Sequence, residues 1–203
     1  VPAQLAAKRN RFSLKTAIKT TKTSKDEERI FDLIDSKIVN ICNHVTEPSI
    51  SINQSIDLTR YKFYLLDTGL FVTMLFNSDD KSHESIYKKI LSNKLDSNLG
   101  YLYENVIAQL LVSSGKNLYY YTWNKEDSTH KYEIDFLVFN KNKVSPIEVK
   151  SGRINNHESI DNYSKKYSRL SGDKYIISTK DIGFENDIIL KPFYLFELCL
   201  ETM

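Results

Sequence analysis

The chain has 203 residues, of which 41% are hydrophobic, 27% charged and 12% aromatic, with a formal net charge of +2. These proportions are ample for a folded core and exclude a disordered tail. No apolar run approaches the roughly 20 residues that a membrane-spanning helix needs, and the first residues lack a signal peptide's apolar stretch. The near-neutral charge makes no overall electrostatic case for nucleic acid.

In chain order, the charge is uneven from the start. Lys8, Arg9, Arg11, Lys15, Lys19, Lys22 and Lys25 fall in the first 25 residues with no acidic residue among them. Such a segment either contacts phosphates or is a solvated basic face. Residues 2–9 can open a helix with Pro2 near its first turn, and Ser24 reads as the cap of a second helix to about Ser36. Ile30, Phe31, Leu33 and Ile34 would form that helix's apolar stripe. Residues 37–46 then alternate as a strand does, Glu47, Pro48 and Ser49 turn the chain, and Ile50 and Ile52 suggest a return strand. Helix, helix, hairpin is the order of a winged helix, here partial.

A change of unit is expected at residues 57–60, which divides the chain into a winged-helix-like segment over 1–58 and a second domain over 59–203. Residues 61–66 read as a strand and 70–76 as a short helix. Asp67 between them reads as a helix N-cap accepting backbone N–H bonds, not as a catalytic carboxylate. Residues 82–93 and 99–112 are further helices. On the second, Leu99, Val106, Ile107, Leu110 and Leu111 form one apolar arc with Glu104 at its edge, half committed to the interior, where a carboxylate needs a partner or a route to water.

The tyrosine-rich run 118–123 is a strand, and residues 133–151 read as a hairpin around the polar insert 140–143. Symmetrical closure sets Phe139 against Val144, Phe136 against Ile147 and Ile134 against Val149. Asp135 then falls directly across from Glu148, with Lys150 on the same face. Two like charges about 5 Å apart on adjacent strands repel. A hard divalent ion would resolve this, since Mg²⁺ prefers oxygen ligands and binds through one or two carboxylates; the alternative is a solvated surface cluster compensated by Lys150.

Residues 157–170 return to a helical period, and 175–178 form a strand beyond them, so a strand, crossover helix and strand imply a parallel pair. Residues 188–200, interrupted by Pro192, are expected to supply an edge strand and a closing helix. The fold class is therefore α/β, a mixed sheet flanked by helices. There is no Walker A motif, no glycine-rich dinucleotide loop and no Cys/His cluster, hence no ATP site in this chain. His44, His83, His130 and His157 show no ligand spacing. Cys42 and Cys199 lack metal-ligand spacing as well, which suits free buried thiols in a reducing cytoplasm.

The order Glu104 on a helix, then Asp135, then Glu148, Val149 and Lys150 across a hairpin, followed by a helix and a parallel strand, resembles the PD-(D/E)XK nuclease superfamily. A longer similarity runs through residues 1–6, 64–70, 100–104, 134–137 and 146–151. Together these resemble the C-terminal half of a prokaryotic AAA+-type ATPase family that carries the domain of unknown function 4143. No proline precedes Asp135, where the superfamily's name would place one; Glu133 and Ile134 stand there instead.

The resemblance implies a restriction-endonuclease-like domain whose ATPase module lies upstream and is absent from this chain. It implies a site of Glu104, Asp135, Glu148 and Lys150. There Asp135, Glu148, Glu104 and the carbonyl of Val149 hold Mg²⁺ or Mn²⁺, and Lys150 orients a water or stabilises negative charge. The expected activity is hydrolysis of a DNA phosphodiester, with the basic N-terminal segment positioning the backbone. The competing expectation is a non-catalytic module that holds DNA or docks a protein and regulates the ATPase.

Overall fold

A computed structural model describes residues 24–76, 100–126, 128–140, 142–152 and 157–200. The basic segment before Ser24 and the helices expected over 2–9 and 82–93 lie outside the described residues. The first described helix, α1, is Ser24–Asp35, within the span that the periodicity predicts. Of its expected apolar stripe, Leu33 and Ile34 are half-buried but Phe31 is 66% exposed.

β1 (Val39–Val45) and β2 (Ile56–Leu65) follow α1, joined where Thr46 N–H donates to the Ser55 carbonyl at 2.7 Å. β2 starts later than expected and is continuous through residues 58 and 59, the place where a domain boundary was expected. α2 (Thr68–Phe76) and α3 (Gly100–Ser113) come next. β3 (Leu118–Asn124), β4 (Lys131–Ile134), β5 (Phe136–Asn140) and β6 (Lys143–Lys150) continue the chain. The remainder is α4 (Glu158–Lys166), β7 (Lys174–Ser178), β8 (Gly183–Glu185), β9 (Ile188–Pro192) and α5 (Phe196–Leu200).

The chain is α/β with two mixed sheets. One has the order β2-β1-β3-β4 and the other β5-β6-β7-β9-β8. β1 is therefore not confined to a wing: it runs parallel to β3, with Cys42 beside Leu118 and Val45 beside Tyr121. The expected parallel pair is β6 with β7, and β9 extends it in the same sense. β9 is internal, however, and the edge belongs to β8, a strand too short and too exposed for its periodicity to register. Asn186 (φ 47°) and Asp187 (φ 61°) occupy the left-handed region between β8 and β9. Two such residues form the tight turn whose twist matches an antiparallel pair, and Asn and Asp tolerate that conformation best among residues with a side chain.

By compactness the chain parts into two units, Val1–Ile41 with Lys62–Gln109 and Cys42–Tyr61 with Leu110–Met203. The core of the second is built from Val45, Tyr121, Ile134, Leu137, Ile160 and Ile176 among others, all nearly or wholly excluded from solvent. The tyrosine run packs as a sheet strand should: Tyr119, Tyr120 and Tyr121 are 7%, 0% and 2% exposed. Tyr121 stacks on Trp123 at 4.9 Å and meets Tyr163 of α4 edge-on at 6.3 Å.

In the first unit, Asn105 of α3 fastens the end of β2. Its Oδ1 accepts the Leu65 N–H at 2.7 Å, and its Nδ2 donates to the Leu65 carbonyl and to Thr68 Oγ1, each at 3.0 Å. Asp67 caps α2 as expected, accepting the Leu70 N–H at 2.8 Å.

Candidate functional site

The hairpin register holds where two strands run side by side: Phe136 pairs with Ile147 and Phe139 with Val144. It fails one residue earlier. Ile134 pairs with Tyr121 of β3, not with Val149, because the strand bends at Asp135 and passes from one sheet to the other. The departing strand no longer offers Val149 a backbone acceptor, and the Asp135 side chain supplies one: Oδ2 accepts the Val149 N–H at 2.8 Å. Asp135 thus serves as the corner that joins two sheets. The sequence pattern could not reveal this, since the alternation of apolar and polar residues runs from Tyr132 to Phe136 straight through the bend.

Glu148 and Lys150 project from β6 on one face, two residues apart. Glu148 is 2% exposed, and its Oε2 lies 2.7 Å from Lys150 Nζ, whose side chain is 34% exposed. Neither Glu148 oxygen completes a hydrogen bond of regular geometry. Burial pushes the carboxyl above its ordinary range, opposed by the charge of Lys150, while Asp135 adds to the upward push and Lys150 and the Ser159 hydroxyl of α4 counter it as hydrogen-bonding groups. The charge of Asp135 acts on Glu148, although the expected pairing of the two directly across the hairpin is absent from its register, which begins at Phe136 with Ile147. Ser159 was not legible: nothing in a helical period distinguishes a serine that faces a buried acid from one that faces water.

Glu104 belongs to the other compact unit. It is 8% exposed, and its Oε2 accepts from Tyr64 OH at 3.0 Å and pairs with Lys62 Nζ at 3.6 Å. Lys62 and Tyr64 are two apart on β2, so both reach the same oxygen from one face of the strand. Lys62 is 1% exposed, and a lysine so deeply buried within an otherwise apolar run is itself a sequence signal for a buried acid nearby. Glu104 has the partner that its place on the apolar arc demanded.

Among the described residues, no group of three or more His, Cys, Asp or Glu side chains is arranged to hold a metal ion, and no helix is long and apolar enough to cross a membrane. His44 Nε2 meets Thr122 Oγ1 at 3.1 Å, and His157 Nδ1 meets Asp161 Oδ2 at 2.7 Å.

No curated protein matches the chain. Among solved structures, the crystal structure of protein VC1899 from Vibrio cholerae is similar at 12% identity with a TM-score of 0.32. The similarity covers 99% of this chain and 49% of that one, so the chain spans about half of its length. Residues 99–196, which hold Glu104, Asp135, Glu148 and Lys150, match the family model described as a domain of unknown function, DUF4143.

Proposed function

We propose that the chain is the nuclease-like C-terminal region of an ATPase whose motor lies upstream, and that Asp135, Glu148 and Lys150 form a metal-dependent site for hydrolysis of DNA phosphodiesters in the cytoplasm. The observation that carries this reading is the buried Glu148 carboxylate, pushed upward by burial and by Asp135 and facing Lys150 at 2.7 Å. A carboxylate kept at that energetic cost is the kind of group that functional sites retain.

The donor chemistry fits a hard divalent cation. Asp135, Glu148 and the Val149 carbonyl would hold Mg²⁺ or Mn²⁺, which binds through one or two carboxylates and keeps waters in its remaining positions. When bound, such a cation lowers the pKa of a coordinated water and offsets charge on the phosphate. The chain's own residues do the rest. Asp135 holds the Val149 backbone at the sheet corner and so fixes the spacing between itself and Glu148. Lys150 would stabilise negative charge that develops on the phosphate oxygens. The basic residues before Ser24 would contact the DNA backbone and position it without reading sequence.

Cleavage of linear, supercoiled and branched DNA by the purified chain with Mg²⁺ or Mn²⁺, abolished in Glu148→Ala, is the expected result. DNA left intact by the unaltered chain refutes hydrolysis by this region.

A second reading has its own support, because each acid of the expected set is already engaged: Asp135 by Val149, Glu148 by Lys150, Glu104 by Lys62 and Tyr64. In that reading the domain holds DNA or docks a protein without cutting and regulates the ATPase. Calorimetric titration with Mn²⁺ separates the two: a site that Asp135→Asn removes supports hydrolysis. No heat of binding, with DNA affinity unchanged in the variant, supports the non-catalytic module.

A further inference from the structure

We propose that Lys150 and a divalent cation compete for Glu148, so that metal binding expels the ammonium and frees it for the phosphate. The exchange rests on the metal-dependent reading of Asp135 and Glu148 and adds a gate to it: Lys150 is withheld from the substrate until the ion arrives.

Of the two groups, the acid is fixed and the cation is not. Glu148 is 2% exposed within β6, and its neighbour on β7 is Ile176, wholly buried. Lys150 ends the same strand beside Ser178, which is buried and uncharged. The Lys150 side chain is 34% exposed against 3% for that of Glu148, and the two meet at 2.7 Å. The ammonium thus reaches the carboxylate from the solvent side on a flexible stem, and it can withdraw without opening the core.

A buried carboxylate requires a counter-charge, because an unpaired ion in the interior is strongly destabilising. Lys150 supplies one positive charge to one oxygen, Oε2. A divalent ion supplies two and draws on Asp135 as well, whose Oδ2 the Val149 N–H holds at the sheet corner. Two cations within a few ångströms of one carboxylate repel, so the ammonium leaves as the ion settles. No proton is transferred: Lys150 departs still protonated, and the ion exchanges bound water for carboxylate oxygen. Arrival of the ion and release of Lys150 are one event, and displacing the ammonium weakens the affinity for the ion.

Calorimetric titration of the full 203-residue chain with Mn²⁺ tests the exchange. Lys150→Met is expected to bind Mn²⁺ about tenfold or more tightly than the unaltered chain, because a like charge a few ångströms from the ion is gone. Lys150→Arg keeps a cation beside Glu148 and gains nothing. Thermal melts without metal check that both variants fold. The unaltered chain gives a second readout: acetic anhydride acylates Lys150 several-fold faster, relative to the exposed Lys131, once Mn²⁺ saturates the site. A Lys150→Met chain that binds no tighter, a gain that Lys150→Arg shares, or acylation indifferent to saturating Mn²⁺ overturns the proposal. Tighter binding by Lys150→Met with DNA left intact by the unaltered chain upholds the exchange and refutes hydrolysis, whereas equal binding with DNA cut does the reverse.

Discussion

Replacing Asp135 in two ways separates its role as the corner between sheets from its role as a charge. In Asp135→Ala, the buried Val149 N–H loses its acceptor at 2.8 Å. A hydrogen bond to a charged group contributes about 1.5–3 kcal/mol, and Val149 is 8% exposed, so little water replaces it. Asp135→Asn keeps an oxygen in nearly the same position and loses the charge alone. The neutral bond retains about 1 kcal/mol, and removing a negative charge near Glu148 relieves part of the push on that carboxyl. Alanine is therefore expected to cost about 1.5–3 kcal/mol and asparagine roughly 0–1 kcal/mol. Guanidinium unfolding at neutral pH reads both, and Mn²⁺ titration of the asparagine variant reads the charge by itself. Equal stability losses for the two variants would refute the corner, because only alanine removes the acceptor.

Three other outcomes follow from buried groups. Asn105→Ala leaves the Leu65 N–H and carbonyl without their partner, and should lower stability by about 2–5 kcal/mol in chemical denaturation. Lys62→Met strands the buried Glu104 carboxylate and should cost about 3–5 kcal/mol, whereas the Lys62→Met, Glu104→Gln pair recovers most of the loss in a double-mutant cycle. Glu148 holds its proton more tightly in the folded than in the unfolded chain, so the folded state binds more protons and stability falls as pH rises above about 4.5, the ordinary value. Each tenfold difference in proton affinity corresponds to about 1.4 kcal/mol. Glu148→Gln should abolish that slope, which thermal melts from pH 4 to 8 measure; a wild-type and variant difference independent of pH would argue against a strained carboxylate.

Local pattern determined the type and order of most of the described elements from Ser24 onward; the late start of β2, the split of β4 from β5 and the short β8 are the exceptions. α1 and α4, the tyrosine strand β3, and the β5-β6 hairpin all announce themselves by period, cap and turn chemistry, since these depend on neighbours a few residues apart. The convergence of Glu148 with Lys150 was equally legible, because two residues on one strand share a face whatever the strand packs against. What the chain's order could not reveal depended on partners distant in sequence. The bend at Asp135, the parallel entry of β1 beside β3, the outermost place of β8, and the pairing of Glu104 with Lys62 and Tyr64 are settled by which backbone and side-chain groups must be satisfied once apolar surfaces close. That requirement acts across whole sheets, and no window of neighbouring residues contains it.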